Sequence, residues 1–223
     1  RLPRVVPILP PLEVDAPSQS LDYPSDLLFD NGLGGFSPDG REYIICLDNG
    51  QQTPAPWVNV IANPEFGFLV SEAGMGCTWS VNSGENKLTP WRNDPVCDPP
   101  SEAIYLRDED TGQVWSPTPL PARADAPYII HHGLGYTLFE HHSHHIKHEM
   151  KVFAVPDAPV KIVQLKLGNT TSRMRRINIT YYAEWVLGAT RENLAHYIVP
   201  EFASDCFALL AHNPPCGLEE KEG

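Results

Sequence analysis

Apolar and polar positions alternate with a period of two along several stretches of this chain. Short β-prone runs occupy 42–47, 57–62, 66–71, 77–81 and 103–107, and each is bounded by Gly, Pro, Asn or Asp. That is the rhythm of an all-β protein. Longer runs follow at 136–144, 146–155, 160–167 and 175–185. In the last of these, Ile177, Ile179, Tyr181, Ala183 and Trp185 fall on one face, and Asn178, Thr180, Tyr182 and Glu184 on the other. Such alternation predicts an antiparallel strand with one buried face. With the turn residues Gly168-Asn-Thr-Thr-Ser172 between runs, 160–187 reads as one long hairpin. Two stretches, 82–100 and 116–127, carry no pattern, and long ordered loops on β scaffolds are often functional. One short helix is expected at 191–197. The fold class that follows is all-β, with large antiparallel sheets and irregular loops.

Composition narrows the function classes. Hydrophobic residues at 42% and charged residues at 20% allow a real core in a chain of 223 residues, and 23 prolines argue against long helices. A net charge of −12 repels a phosphate backbone and an anionic membrane surface alike, so nucleic acid is not an expected partner. Cys46, Cys77, Cys97, Cys206 and Cys216 are scattered, odd in number and form no CxxC. Free thiols in a reducing compartment, with no disulfide framework or zinc knuckle, is the expectation. No apolar run approaches the ~18 residues of a membrane span. The chain divides into a proline-rich lead-in at 1–27, a β domain at 28–212 and a charged, disordered or truncated tail at 213–223; lacking an initiator Met, it reads as a fragment.

Chemistry concentrates in two places. The loop Thr78-Trp-Ser-Val-Asn-Ser-Gly-Glu-Asn-Lys-Leu-Thr-Pro-Trp-Arg-Asn-Asp94 packs two Trp, three Asn, one Glu and one Asp together. A sugar ring stacks on Trp, and its hydroxyls want planar amide and carboxylate partners. Trp79, Asn82, Glu85, Asn86, Trp91, Asn93 and Asp94 are therefore the candidate substrate-binding residues. The bland alternative makes the Trp residues core plugs and the Asn residues turn caps. Second, His131, His132, His141, His142, His144, His145 and His148 crowd eighteen positions. On a strand, His142 with His144, or His141 with His145, would share a face and approach one metal. A polar strand pair with one or two His in a hydrogen-bonded core is the competing reading, and no metal ligand is nominated. GxSxG, GxGxxG and P-loop patterns are absent, and Asp108-Glu-Asp110 is one local acidic turn rather than a pair across a cleft. No catalytic residue is nominated.

Several collinear motifs resemble the N-terminal sandwich of glycoside hydrolase family ninety-four, formerly glycosyltransferase family thirty-six. They begin with Asn31-Gly-Leu-Gly-Gly-Phe-Ser-Pro-Asp-Gly-Arg-Glu-Tyr43 and Thr53-Pro-Ala-Pro-Trp-Val-Asn-Val-Ile-Ala-Asn-Pro64. Leu88-Thr-Pro-Trp-Arg-Asn-Asp-Pro95, Tyr105-Leu-Arg-Asp-Glu-Asp110 and Trp115-Ser-Pro-Thr-Pro119 continue in order. Phe139-Glu-His141, Pro159-Val-Lys-Ile162 and Glu184-Trp-Val-Leu-Gly188 complete a resemblance over about 28–212. The style of the second motif looks like that of cyclic β-1,2-glucan synthases; cellobiose and chitobiose phosphorylases share the family.

The resemblance implies a mutarotase-like supersandwich followed, in the parent enzyme, by a helical linker and an (α/α)₆ barrel. In the family the general acid is an Asp on that barrel, and inorganic phosphate attacks the anomeric carbon with inversion. Phosphate is a co-substrate of the parent, and no cofactor is implied. The expected partners are a β-linked glucose oligosaccharide, the missing barrel domain and a second subunit in a homodimer. The expected location is the cytoplasm, with inner-membrane attachment if the parent is a glucan synthase. Two departures stand out. The family's Asn-Ser-Arg-Glu-Asn-Arg is Asn82-Ser-Gly-Glu-Asn-Lys87 here, which removes a rigid bidentate donor. The family's Ser-His-Gly-Ile is Ser143-His-His-Ile146 here. A free-standing sugar-binding module and a His-strand metal protein are the alternative functions.

Overall fold

The structure is a computed structural model that describes residues 21–48 and 50–213. The lead-in at 1–20 and the tail from 214 lie outside the described residues. Fourteen strands run in chain order: β1 (Gly34–Phe36), β2 (Glu42–Leu47), β3 (Val58–Ala62), β4 (Phe66–Ser71), β5 (Met75–Ser80), β6 (Glu102–Asp108), β7 (Val114–Trp115), β8 (Tyr128–Gly133), β9 (Tyr136–Ser143), β10 (Ile146–Ala154), β11 (Lys161–Asn169), β12 (Ile177–Ala183), β13 (Val199–Ala203) and β14 (Ala208–His212). The helix α1 (Arg191–Leu194) is a single turn continued by a 3₁₀ turn at Ala195–Tyr197. No helix among the described residues is long and apolar enough to cross a membrane.

The strands build two antiparallel layers. The first has the order β1-β2-β8-β9-β10-β11, and the second β12-β6-β5-β4-β3 with β7 beside β6. β13 and β14 form a separate hairpin. Period-two alternation decides which side chains meet between the layers. Registers place Ile45, Ile130, Phe139 and Met150 in one row across the first sheet. They pack with Phe68, Val70, Met75, Leu106 and Trp115 in the core.

β8, unmarked in the sequence analysis, lies at the centre of the first sheet. Its Tyr128 and Ile130 are fully buried, while His131 and His132 disguise the alternation. The expected hairpin over 160–187 does not form. β11 pairs with β10, whereas β12 pairs with β6 in the other layer. Between them Arg175 makes a buried ion pair with Asp108 and donates to the carbonyl of His144 at 3.0 Å. These contacts carry the chain from one layer to the other. β12 alternates as expected, with Ile177, Ile179, Tyr181 and Ala183 on the inward side, opposite the inward residues of β6. The face is not buried, however: Ile179 is 55% and Tyr181 50% exposed. Among the described residues β11 is one edge of the first layer and β12 one edge of the second, with β1 and β3 at the opposite edges, and the sandwich gapes between β11 and β12.

Candidate functional site

The loop after β5 is built from local turns. The Asn82 side chain accepts the N–H groups of Gly84 and Glu85 at 2.8 and 2.9 Å. Asn86 N–H donates to the Asn82 carbonyl at 3.0 Å, and Ser80 N–H to the Asn86 carbonyl at 3.0 Å. Farther along, Asp94 accepts from Val96 and Cys97 N–H at 2.9 and 3.0 Å. Those backbone bonds hold its carboxyl below the usual range. Asn93 adopts a φ of 48°. Asn82 and Asp94 are thus turn caps. Trp79 is half-buried, its ring lying so close to Gly67 that a Cβ there would sit 2.4 Å from it. Trp91 is 57% exposed, and Glu85, Asn86 and Asn93 are also exposed. The fold brings Asn82, Glu85 and Asn86 into one turn and leaves Trp91, Asn93 and Asp94 in a later one.

The loop is tied to the end of β12. Glu184, itself buried, receives Arg92 at 2.6 Å and pairs with Arg191. Lys87, at a position where the resembled family has Arg, reaches the carbonyl of Ala189 at 3.2 Å.

Beneath the loop, in the gap between β11 and β12, lies a pocket of about 360 Å³. Phe66, Leu88, Val163, Tyr181, Ala183 and Trp185 supply its apolar lining, and Thr78, Thr89, Glu102 and Lys161 its polar part. None of the seven sequence-nominated residues lines it. Lys161 Nζ sits 2.7 Å from Glu102 Oε2 and donates to Thr78 Oγ1 at 2.9 Å. It also stands 4.8 Å above the Phe68 ring, a cation–π contact. Glu102 further accepts the hydroxyls of Thr78, Thr89 and Tyr181. Burial pushes its carboxyl up, but the Lys161 ammonium and these hydrogen bonds reverse the effect and hold it below the carboxylate range. Burial and the Glu102 charge push the Tyr181 phenol up. The polar part of the pocket is satisfied internally. The only sequence signal for this site was the inward face of β12.

The histidines do not converge on a metal. Among the described residues no group of three His, Cys, Asp or Glu is placed to hold one. His144 and His145 form a turn rather than continuing a strand, with φ of 52° and 59°. His141 and His148 are buried between the layers, with ring centroids 4.9 Å apart. Tyr128 stacks on His141 at 4.0 Å, and Trp115 Nε1 donates to His148 Nε2 at 2.9 Å. On the opposite face of the sheet, His131 bridges Glu42 and Glu140 at 2.9 Å each.

Two layers of long antiparallel strands with a loop-covered gap at one side define a β-supersandwich. The family profile of the glycosyl hydrolase 94 supersandwich domain matches residues 41–220, and the chain belongs to that family. The match runs past the end of the resemblance seen in the sequence, about residue 212. A cyclic β-(1,2)-glucan synthase of Rhizobium meliloti is 42% identical over 190 residues, covering 85% of this chain and 7% of that protein. An N,N′-diacetylchitobiose phosphorylase of Vibrio proteolyticus is 29% identical over 155 residues, 68% of this chain and 19% of the enzyme. A solabiose phosphorylase of Paenibacillus borealis is 28% identical over 193 residues, 82% of this chain and 24% of the enzyme. The chain thus spans at most a quarter of each of these relatives.

Proposed function

We propose that this chain is the non-catalytic sandwich of a longer enzyme that acts on β-linked glucosides, a glucan synthase or an inverting phosphorylase. A helical barrel elsewhere in that enzyme supplies the general acid and the phosphate site, no cofactor takes part, and the sandwich supports a homodimer in the cytoplasm. The observation that carries this reading is the state of Glu102. It is the carboxylate of the pocket, and it is engaged by Lys161, Thr78, Thr89 and Tyr181. A general acid needs a proton to give and a clear path to the leaving oxygen; this carboxyl is held below the usual range and its oxygens are taken up by protein donors. The test is phosphate release and consumption on β-linked glucose disaccharides by the 223-residue chain alone. No turnover is expected, and turnover that vanishes in Glu102→Gln would overturn the proposal.

A second reading, a sugar-binding loop, is favoured by the 57% exposure of Trp91 between Pro90 and Arg92. An exposed indole is a stacking platform for a pyranose face. Calorimetric titration with β-linked glucose oligosaccharides is expected to give millimolar affinity, lost in Trp91→Ala. A smaller loss is expected in Trp79→Ala, because the Trp79 ring already covers Gly67. A flat titration of the unmodified chain removes this reading.

A further inference from the structure

The turn at 71–74, which joins β4 to β5, holds three loops. Its Ala73 carbonyl receives the N–H of Leu120 at 2.7 Å. Its Glu72 is buried and accepts the Thr53 hydroxyl, and the Trp57 N–H at 2.8 Å. Its Ser71 Oγ accepts the N–H groups of Ala73 and Gly74 at 3.2 Å each and donates to Asp98. The residues before Asp98 form a closed knuckle: Asp94 accepts from Val96 and Cys97, and Asp98 N–H donates to the Asp94 carbonyl at 3.1 Å. Among the described residues, the bond from Ser71 to Asp98 is the only hydrogen bond that ties 94–98 to the rest of the sandwich. Among the same residues no Lys, Arg or His pairs with either Glu72 or Asp98. The charge of Asp98 acts on Glu72, and that of Asp94 on Asp98. The loops at 53–57 and 116–121 bring no titratable group to the turn, and Cys97 is exposed.

We propose that Asp98 and Ser71, with Glu72 beside them, form a proton-operated clasp that seats the 94–98 knuckle more firmly as pH falls. Seating takes the Asp98 carboxyl out of water and brings it near other carboxylates, with a neutral hydroxyl as its partner. Burial is the main effect, and it pushes both the Asp98 and the Glu72 carboxyls up. Unseating returns Asp98 to water and to the ordinary range. The seated form therefore binds a proton more readily than the unseated one, and by linkage a falling pH favours seating. The gain begins as pH falls through the seated value and is complete below the unseated one, about 3.9. Protonated Asp98 still accepts from Ser71 through its carbonyl oxygen. With Asp98 withdrawn, the Ser71 hydroxyl has the Gly74 carbonyl 3.4 Å away, so neither state strands a buried donor. The clasp governs how firmly the loop that carries Trp91 is held, and it does not depend on any ligand of that loop.

The test is nuclear magnetic resonance of the full chain as pH is lowered from neutral, reading the Asp98 carboxyl carbon and the backbone order parameters of Val96, Cys97 and Asp98. The carboxyl is expected to titrate above the value of about 3.9 for a free Asp, and the order parameters are expected to rise as it takes up its proton. Glu72→Gln removes a neighbouring charge and is expected to move the Asp98 titration down. Asp98→Asn keeps the acceptor and tolerates the left-handed φ of 39° while removing the charge. Its knuckle is expected to be ordered at every pH. Ser71→Ala breaks the tie, and its order parameters are expected to be low throughout. An Asp98 carboxyl that titrates at or below the ordinary value would overturn the clasp. So would order parameters that stay flat or fall with pH in the unmodified chain, or that keep their rise in Asp98→Asn. A knuckle as ordered in Ser71→Ala as in the unmodified chain would show that this bond does not seat it, and an Asp98 titration unmoved by Glu72→Gln would remove Glu72 from the device.

Discussion

His144 and His145 occupy the two central positions of the turn between β9 and β10, both with positive φ. That geometry is usually given to Asn-Gly, because a left-handed conformation costs a residue with a Cβ about 1–2 kcal/mol. Tertiary contacts hold the unusual pair. The His144 ring stacks on Trp115 at 4.2 Å. The His145 carbonyl accepts both the N–H and the hydroxyl of Thr170. No hydrogen bond or ring stack among the described residues uses the His145 side chain, so its imidazole adds strain without a compensating contact. His145→Gly restores the residue that the resembled motif carries there, and is expected to stabilise the protein by about 0.5–1 kcal/mol. The measurement is the urea midpoint at constant m-value. A midpoint that falls would mean that the ring makes a contact worth more than the strain. His144→Gly loses the stack on Trp115 and is expected to move the midpoint the other way.

Between β11 and β12 the chain changes layers, and one ion pair marks the crossing. Arg175 and Asp108 side chains are 4% and 0% exposed, and the carboxylate also accepts the N–H of Asp110 at 2.8 Å. Burial pushes the Asp108 carboxyl up, but the backbone N–H bonds and the Arg175 guanidinium outweigh it and hold it low. Removing the Arg leaves a buried charge unpaired, and Arg175→Met is expected to cost about 3–5 kcal/mol of unfolding free energy. Replacing both groups, Asp108→Asn with Arg175→Met, is expected to recover part of that loss. Equal stability for the single and double variants would show that the pair does not anchor the crossing. The same crossing explains what the sequence could not reveal. Alternation marked β2 and β4 at their true bounds and most other strands within a few residues, because periodicity and turn residues are local. Pairing is not local. The run 175–185 looks the same whether its neighbour is β11 or β6, and the ion pair that decides between them joins residues far apart in the chain. The candidate site divides in the same way. The loop at 82–100 was legible as a loop, since its Asn and Asp caps act within three residues. The pocket below it was not, because Phe66, Glu102, Lys161 and Tyr181 meet only after five strands have paired.

At the scale of the whole sandwich, the buried histidines tie stability to pH. His132, His141 and His148 lie on the inward side of the first sheet, where burial first and foremost pushes them down to about 4, 3 and 4. Their surroundings offer no compensating carboxylate. His148 receives the Trp115 indole N–H, and both ring nitrogens of His132 are bonded, to Thr137 and to the Trp57 carbonyl. In the unfolded chain the same groups titrate near 6.5. Below that pH the unfolded state therefore binds protons that the folded state refuses, and stability falls as pH drops from about 6.5 towards 4. With three such groups the slope approaches about 4 kcal/mol per pH unit at its steepest. His131 works in the opposite sense. Burial disfavours its charge, but Glu140 and Glu42 outweigh this and raise it. Its contribution is complete below about 6.5 and is lost only as pH rises through its folded value, so it cannot offset the acid-side loss. Glu102 and Asp108, both held low, add to the loss only below the ordinary carboxylate range. The expected outcome is a urea midpoint that drops between pH 6.5 and 4.5, with part of the loss offset by Glu72 and Asp98, whose carboxyls burial pushes up so that the folded state takes up their protons first. In His132→Gln the slope over that interval is expected to shrink by about one proton. A midpoint flat from pH 7 to 5 would mean that these imidazoles are already charged, or solvated, inside the fold, and that the stack of Tyr128, His141 and His148 between the layers is not the dry core its burial implies.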